Sequence, residues 1–215
     1  MYKALIFDLD GTIADTLPAI LVALNATMRH FGYPEHDIPA LRSFINNGAR
    51  KLVTRAMPES ERTETQIDAV LAFYDAAYTE SYLQTDTTYS GIDTAIAELS
   101  ARGYRIGVLS NKQDYMVKGL CAQLLPDLVE VAYGQRKGYP TKPDPTVPLA
   151  VAAELGAAPH EVAFIGDSDV DIKTALNAGF SPIGVAWGYR PAQLLREIGA
   201  EAVLPSPDAL TEYFH

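Results

Sequence analysis

Five short runs constrain the fold of this chain more than any other feature. They are "ALIFD" at residues 4–8, "YRIGVLS" at 104–110, "LVEVAYG" at 128–134, "EVAFIGD" at 161–167 and "SPIGVAW" at 181–187. Most are apolar almost throughout rather than alternating with polar residues, which is the pattern of strands buried on both faces. From residue 91 onward they alternate with helical patterns: "GIDTAIAELSARG", closed by Gly103, then "NKQDYMVKGLCAQLL", "PTVPLAVAAELG" and "SDVDIKTALNAG", with a short helix and strand at the end. Strands and helices in alternation build a parallel sheet covered on both sides. The first strand stands apart from the rest. About seventy residues follow it with no strand pattern, only helical spacing such as Leu17, Ile20, Leu21, Leu24, Met28 and Phe31. The expected fold class is therefore α/β: a doubly wound, parallel-sheet, Rossmann-like core with a helical insert after its first strand.

Composition narrows what such a fold can serve. With 215 residues, 48% hydrophobic and 20% charged, the chain has room for one substantial domain carrying a smaller one, and it is not disordered in character. Its 17 basic and 27 acidic residues leave a net charge of −10, which argues against nucleic acid or an anionic membrane surface as a partner. A small anionic ligand stays open, because a local metal ion or helix N-terminus outweighs the global charge. Cys121 is the only cysteine, so no internal disulfide or cysteine metal cluster forms, and its apolar helical setting suits an inert buried thiol. No basic segment leads into a long apolar run, and no run nears membrane-spanning length; the expectation is a reduced, cytoplasmic protein.

In open parallel sheets, ligands bind outside the carboxyl ends of the strands. Just past those ends lie Asp8 and Asp10, then Ser110 and Asn111, then Gly166, Asp167 and Ser168, with Lys142 in a loop before another helix. Several of these have plainer uses. Ser110 or Asn111 could cap the following helix, Asp144 with Pro145 suits a helix start, and Ser168 or Asp169 could cap the next. Asp8 and Asp10 resist that reading, because a cap needs one acid and these two share a strand end. Such carboxylates repel unless a cation is shared or one holds a proton. The candidate ligands are oxygens, and His30, His36, His160 and His215 show no paired spacing, so Mg²⁺ fits better than zinc or calcium. Trp187, within "GVAWGYRP", reads as packing for the last strand and turn.

The segments "DLDGTIADT" at 8–16, "SN" at 110–111, "KP" at 142–143 and "GDSDVD" at 166–171 resemble the four ordered motifs of the haloacid dehalogenase superfamily. The insert resembles the helical cap of its phosphatases. "NNGARKLV" at 46–53 and "AGFSPIGVAWGY" at 178–189 are similar to the phosphoglycolate phosphatase-like branch. The resemblance implies a catalytic core of residues 1–15 and 85–215 and a cap of residues 16–84, joined by linkers at 14–16 and 85–90. It implies Mg²⁺-dependent hydrolysis of a small phosphate monoester, with 2-phosphoglycolate the leading substrate. Asp8 would be the nucleophile and Asp10 the general acid and then base. Ser110, Asn111 and Lys142 would bind phosphate, with Ser110 and Lys142 counted among the catalytic groups. Mg²⁺ would sit on the Asp8 carboxylate, the Asp10 carbonyl and Asp167, with Asp171 and Thr12 behind them. Gly11 would allow the tight turn, and the Thr12 hydroxyl would bond locally to hold it. Asp169 would face solvent, and Asp15 would cap or hinge the entry to the cap. Asn47, Gly48 and Arg50 are the substrate-facing candidates in the cap, with Lys51 or Arg42 as other cations for an anionic substrate end. The partner is a small phosphorylated metabolite, and the protein a monomer or homodimer. A phosphomutase of the same family, related to β-phosphoglucomutase, is one alternative; a phospho-acceptor signalling module is another. The latter fits less well, since receiver domains place the acceptor aspartate on a middle strand of the sequence and lack an insert.

Overall fold

The computed structural model describes residues 2–84 and 88–215. The second domain boundary and the start of the linker expected at residues 85–90 fall on residues 85–87, outside the described ones. The chain divides into two compact units, one of Met1–Asp15 with Asp86–His215 and one of Thr16–Thr85.

In the first unit, β1 (Ala4–Phe7), β2 (Arg105–Gln113), β3 (Val131–Gln135), β4 (Val162–Gly166), β5 (Ser181–Val185) and β6 (Ala202–Leu204) form one sheet in the order β3-β2-β1-β4-β5-β6. Every neighbouring pair is parallel. This is the doubly wound order, and the direction of winding reverses beside β1, where loops on either side diverge and leave a crevice. Ala4–Phe7 lie level with Arg105–Val108 on one side and Val162–Ile165 on the other. The amide of Asp8 continues the ladder, donating to the Ile165 carbonyl at 2.9 Å. The acids that follow β1 and β4 are therefore brought side by side by register alone.

The helices of this unit are α5 (Ile92–Ala101), α6 (Asp114–Leu124), α7 (Thr146–Glu154), α8 (Asp169–Ala178), α9 (Ala192–Ile198) and α10 (Asp208–Tyr213), while the second unit holds α1 (Leu17–His30), α2 (Ile38–Phe44), α3 (Ala49–Ala56) and α4 (Glu64–Ser81). Ala4 and Ile6 join Phe164, Val151, Leu155 and Ala175 in one core cluster. Leu5 and Phe7 point to the other face and are equally buried. Burial on both faces explains why the strand is apolar at every position, at roughly 1.5–3 kcal/mol per large side chain removed from water. Cys121 is buried in α6, where desolvation pushes its thiol up to about 12, in keeping with an inert packing role.

Local expectations differ from the structure at several points. β2 runs on to Gln113, past the apolar stretch, so neither Ser110 nor Asn111 caps a helix. Pro145 rather than Asp144 is the N-cap residue of α7, and Asp144 accepts a bond from the Thr146 amide at 2.9 Å. Thr16, not Asp15, stands at the N-cap of α1. Ser168 does cap α8, accepting from the Asp171 amide.

Only helices make up the described part of the second unit. The break between α2 and α3 falls at residues 45–48, where Asn46 and Gly48 have φ of 80° and 83°. Arg55 holds this turn, donating to the Phe44 carbonyl and to Asn47 Oδ1, each at 2.8 Å. Among the described residues, no helix is long and apolar enough to cross a membrane.

Candidate active site

The turn after β1 is closed by main-chain bonds. Thr12, Ile13 and Ala14 donate to the Leu9 carbonyl and Gly11 to that of Ala14, at 2.9–3.3 Å. Gly11 has a φ of 86°, a conformation that favours glycine, and a Cβ there would stand 2.6 Å from Asp167 Oδ2. The Thr12 hydroxyl is fully buried without a hydrogen-bond partner, so the backbone performs the task expected of that side chain.

Around Asp8 the strand ends gather a group of buried charges. Lys142 Nζ lies 2.9 Å from Asp8 Oδ1 and 2.7 Å from Asp171 Oδ1. The Asp8 contact is an ion pair without hydrogen-bond alignment, whereas Asp171 accepts a true bond. Asp171 uses its other oxygen on the Ser168 amide at 3.0 Å and the Ser168 hydroxyl at 2.6 Å. Asn111 clamps the main chain of Lys142 from both sides, accepting from its amide at 2.9 Å and donating to its carbonyl at 3.2 Å. The Lys142–Pro143 peptide bond is cis. Ser110 is buried within β2, just before Asn111, and its hydroxyl accepts from the Lys112 amide at 3.3 Å.

Asp8, Asp167 and Asp171 can each bring one oxygen within 4.8 Å of the others. With Lys142 as the cation among them, three ionised acids would leave a net buried charge of about −2, which is costly in a dry site. The electrostatics follow from that excess. Burial above all, with Asp171 and Asp10 adding, pushes the Asp8 carboxyl up to about 7 even against the opposing pull of Lys142. Asp167 lies well above the usual carboxylate range because of its own burial, then Asp171 and Asp8. Lys142 is raised, the two acids overcoming the burial that pulls it down.

These acids fit a divalent cation. Asp167 is fully buried, its Oδ2 accepts the Tyr189 amide at 2.6 Å, and its Oδ1 has no hydrogen-bond partner. An all-oxygen donor set with an orphaned carboxylate oxygen calls for a hard metal ion. Both oxygens of Asp171 accept hydrogen bonds, one from Lys142 and the other from Ser168, whereas Asp167 keeps an oxygen without such a partner.

A family model described as haloacid dehalogenase-like hydrolase matches residues 5–185. The chain is 30% identical over 219 residues to a phosphoglycolate phosphatase of Psychrobacter arcticus, spanning 98% of this chain and 95% of that protein. The chain belongs to the haloacid dehalogenase-like hydrolases. A crystal structure from Lactobacillus delbrueckii subsp. bulgaricus shares its fold with a TM-score of 0.92 at 28% identity, covering 99% of this chain and 98% of the other. The β-phosphoglucomutase of Clostridium difficile has a TM-score of 0.81 at 21% identity, over 99% and 95% of the two chains, and shows a shared fold alone.

In this hydrolase Asp8, Asp10, Ser110, Asn111, Lys142, Asp167 and Asp171 all lie at the carboxyl edge of the sheet. Asp169 pairs with Lys173 at 2.8 Å on the outer side of α8. Asp15 is exposed, and its Oδ1 accepts from the Tyr189 hydroxyl at 3.5 Å. In the helical unit, the Arg50 guanidinium is taken up by Glu64 and Asp68 at 2.5 Å each, and the Asn47 side chain by Arg55. Sequence reasoning missed Lys112, whose ammonium lies 2.8 Å from Asp10 Oδ1 and is almost wholly buried. The sequence carries no clear signal for it, since residue 112 falls in a helical pattern and β2 reaches Gln113 through an irregular register with β3.

Proposed function

We propose that the protein is a Mg²⁺-dependent phosphatase acting on a small phosphate monoester, with 2-phosphoglycolate as substrate, through an aspartyl-phosphate on Asp8. The observation that carries the reading is the Asp8 carboxylate at the end of β1, held against Lys142 and beside an Asp167 oxygen that has no protein partner. The substrate is suggested by the name carried by the Psychrobacter arcticus relative.

In the first step an Asp8 oxygen attacks phosphorus in line with the ester oxygen. The new O–P bond forms as the P–O bond to the alcohol breaks, and Asp10 gives its proton to the departing oxygen. In the second step Asp10, now a carboxylate, takes a proton from water; the water oxygen bonds to phosphorus and the bond to Asp8 breaks, returning both acids to their starting state. Lys142 offsets charge on the transferring oxygens, and Ser110 with its neighbouring amides orients them. Asp171 and Asn111 keep Lys142 aimed at Asp8. In the free protein Asp10 meets Lys112, the arrangement of a base; to act first as an acid it must accept a proton and loosen that contact. Asp8, the Asp10 carbonyl and Asp167 would hold Mg²⁺, which when bound supplies positive charge that offsets the crowded acids and polarises the phosphoryl oxygens. The same reading places the protein in the cytoplasm, as a monomer or homodimer.

A panel of phosphate monoesters, assayed for phosphate release with Mg²⁺ and with EDTA, tests this. 2-Phosphoglycolate should give the highest kcat/KM and EDTA should abolish turnover. Full activity in EDTA would remove the metal from the account, and a sugar phosphate preferred by more than tenfold would replace the substrate. Nothing in the described site favours a mutase, and transfer of phosphate to a second hydroxyl in the same panel would reveal one.

A further inference from the structure

The stretch after β5 reads in the sequence as packing for a strand end, yet three consecutive residues in it act on Asp167 and on the turn after β1. The Tyr189 amide donates to Asp167 Oδ2 at 2.6 Å. A Cβ on Gly188 would run into the Asp167 side chain and stand 2.5 Å from the Gly11 carbonyl. Gly188 is not among the glycines with positive φ, so lack of space, not backbone conformation, keeps a side chain out. The Trp187 indole N–H donates to the Thr12 carbonyl at 3.0 Å, tying the same segment to the turn that carries Asp10. The result is a carboxylate with one oxygen fixed by a backbone amide and the other, Oδ1, buried and without a hydrogen-bond partner.

We infer that Trp187–Tyr189 is a positioning element for the metal ligand Asp167. The Tyr189 amide fixes one oxygen and so aims the other, Gly188 lets the backbone come that close, and Trp187 locks the segment to the turn after β1. Outer groups that orient ligands in this way commonly govern metal affinity by one to two powers of ten. The inference rests on the reading of Asp167 as a ligand.

Metal binding is measured on the free protein without substrate, by Mg²⁺ calorimetry and by the electron paramagnetic resonance of unbound Mn²⁺. Gly188→Ala should weaken binding by about 10- to 100-fold. Trp187→Phe, which keeps a ring but loses the N–H, should weaken it by about 3- to 10-fold. Gly184→Ala is the control for strain, since its Cβ would crowd Leu195 and Val203 instead, and it should bind within about twofold of the parent. Asp167→Asn sets the floor. If Asp167→Asn abolishes binding while Gly188→Ala and Trp187→Phe bind as the parent does, the positioning element is refuted and the ligand reading stands. If Asp167→Asn binds as tightly as the parent, the ligand reading fails and takes the inference with it. If Gly184→Ala loses as much affinity as Gly188→Ala, the loss follows general destabilisation and the inference is overturned. Should Gly188→Ala fail to fold, Trp187→Phe decides.

Discussion

Removing the charge of Asp8 should stabilise the metal-free protein, and by an amount that depends on pH. The folded environment holds this carboxyl near 7 rather than at its ordinary 3.8, chiefly through burial. A raised acid favours the neutral form: its contribution is fully present below about pH 4 and is lost as the pH rises through about 7. An interval of about three pH units, at about 1.4 kcal/mol each, puts the cost of ionising Asp8 near 4 kcal/mol as an upper limit. Relaxation around Lys142 and the neighbouring acids takes part of that back, so about 2 kcal/mol is expected at pH 8. For a chain of this length that corresponds to a rise of about 4–8 °C in Tm. The assay is thermal unfolding of the parent and of Asp8→Asn in EDTA between pH 4 and pH 8. The gap in favour of Asp8→Asn should be near its smallest at pH 4, widen through pH 6 and level off above about pH 7. Adding Mg²⁺ should stabilise the parent more than the variant and close the gap. A gap that ignores pH, or a variant whose relative stability falls as the pH rises, would refute the claim that Asp8 sits among uncompensated acids.

Two further outcomes test neighbouring parts of the site. Lys142→Met should cost about 3–5 kcal/mol in denaturant unfolding near neutral pH, because Asp8 and Asp171 lose their shared buried cation; a loss under about 1 kcal/mol would contradict that pairing. Arg50→Ala should leave KM for 2-phosphoglycolate within about twofold, since its guanidinium is committed to two exposed acids, and a tenfold rise would return it to the substrate.

Much of the fold is legible in the sequence because both faces of the sheet are covered. That burial removes polar residues from the strands and makes "ALIFD" and "EVAFIGD" conspicuous. The acids at their ends are legible for the converse reason: nothing in strand packing calls for Asp8 or Asp167. What escaped notice depends on tertiary pairing. Asn111 reads as a helix cap or a phosphate ligand, and its clamp on the main chain of Lys142 comes from the approach of a loop thirty-one positions away. Lys112 follows the apolar run and reads as the start of a helix, whereas pairing with β3 carries β2 on to Gln113. Gly188 is the least legible, because its need for space is created by Asp167, twenty-one positions earlier. Arg50 shows the same dependence from the other side: a cation near a glycine turn invites a substrate, and the pairing with Glu64 and Asp68 on the next long helix is set by tertiary structure.

The most direct test of the central claim is to trap the covalent intermediate. With p-nitrophenyl phosphate the leaving group departs without a proton, so Asp10→Asn should spare the first step and slow the second by about 10²- to 10⁴-fold. Peptide mass spectrometry after rapid acid quenching should then find one phosphoryl group, carried by the peptide containing Asp8 and absent from an Asp8→Asn, Asp10→Asn double variant. A phosphoryl group on any other residue, or a single Asp8→Asn variant that turns over substrate at the parent's rate, would contradict it.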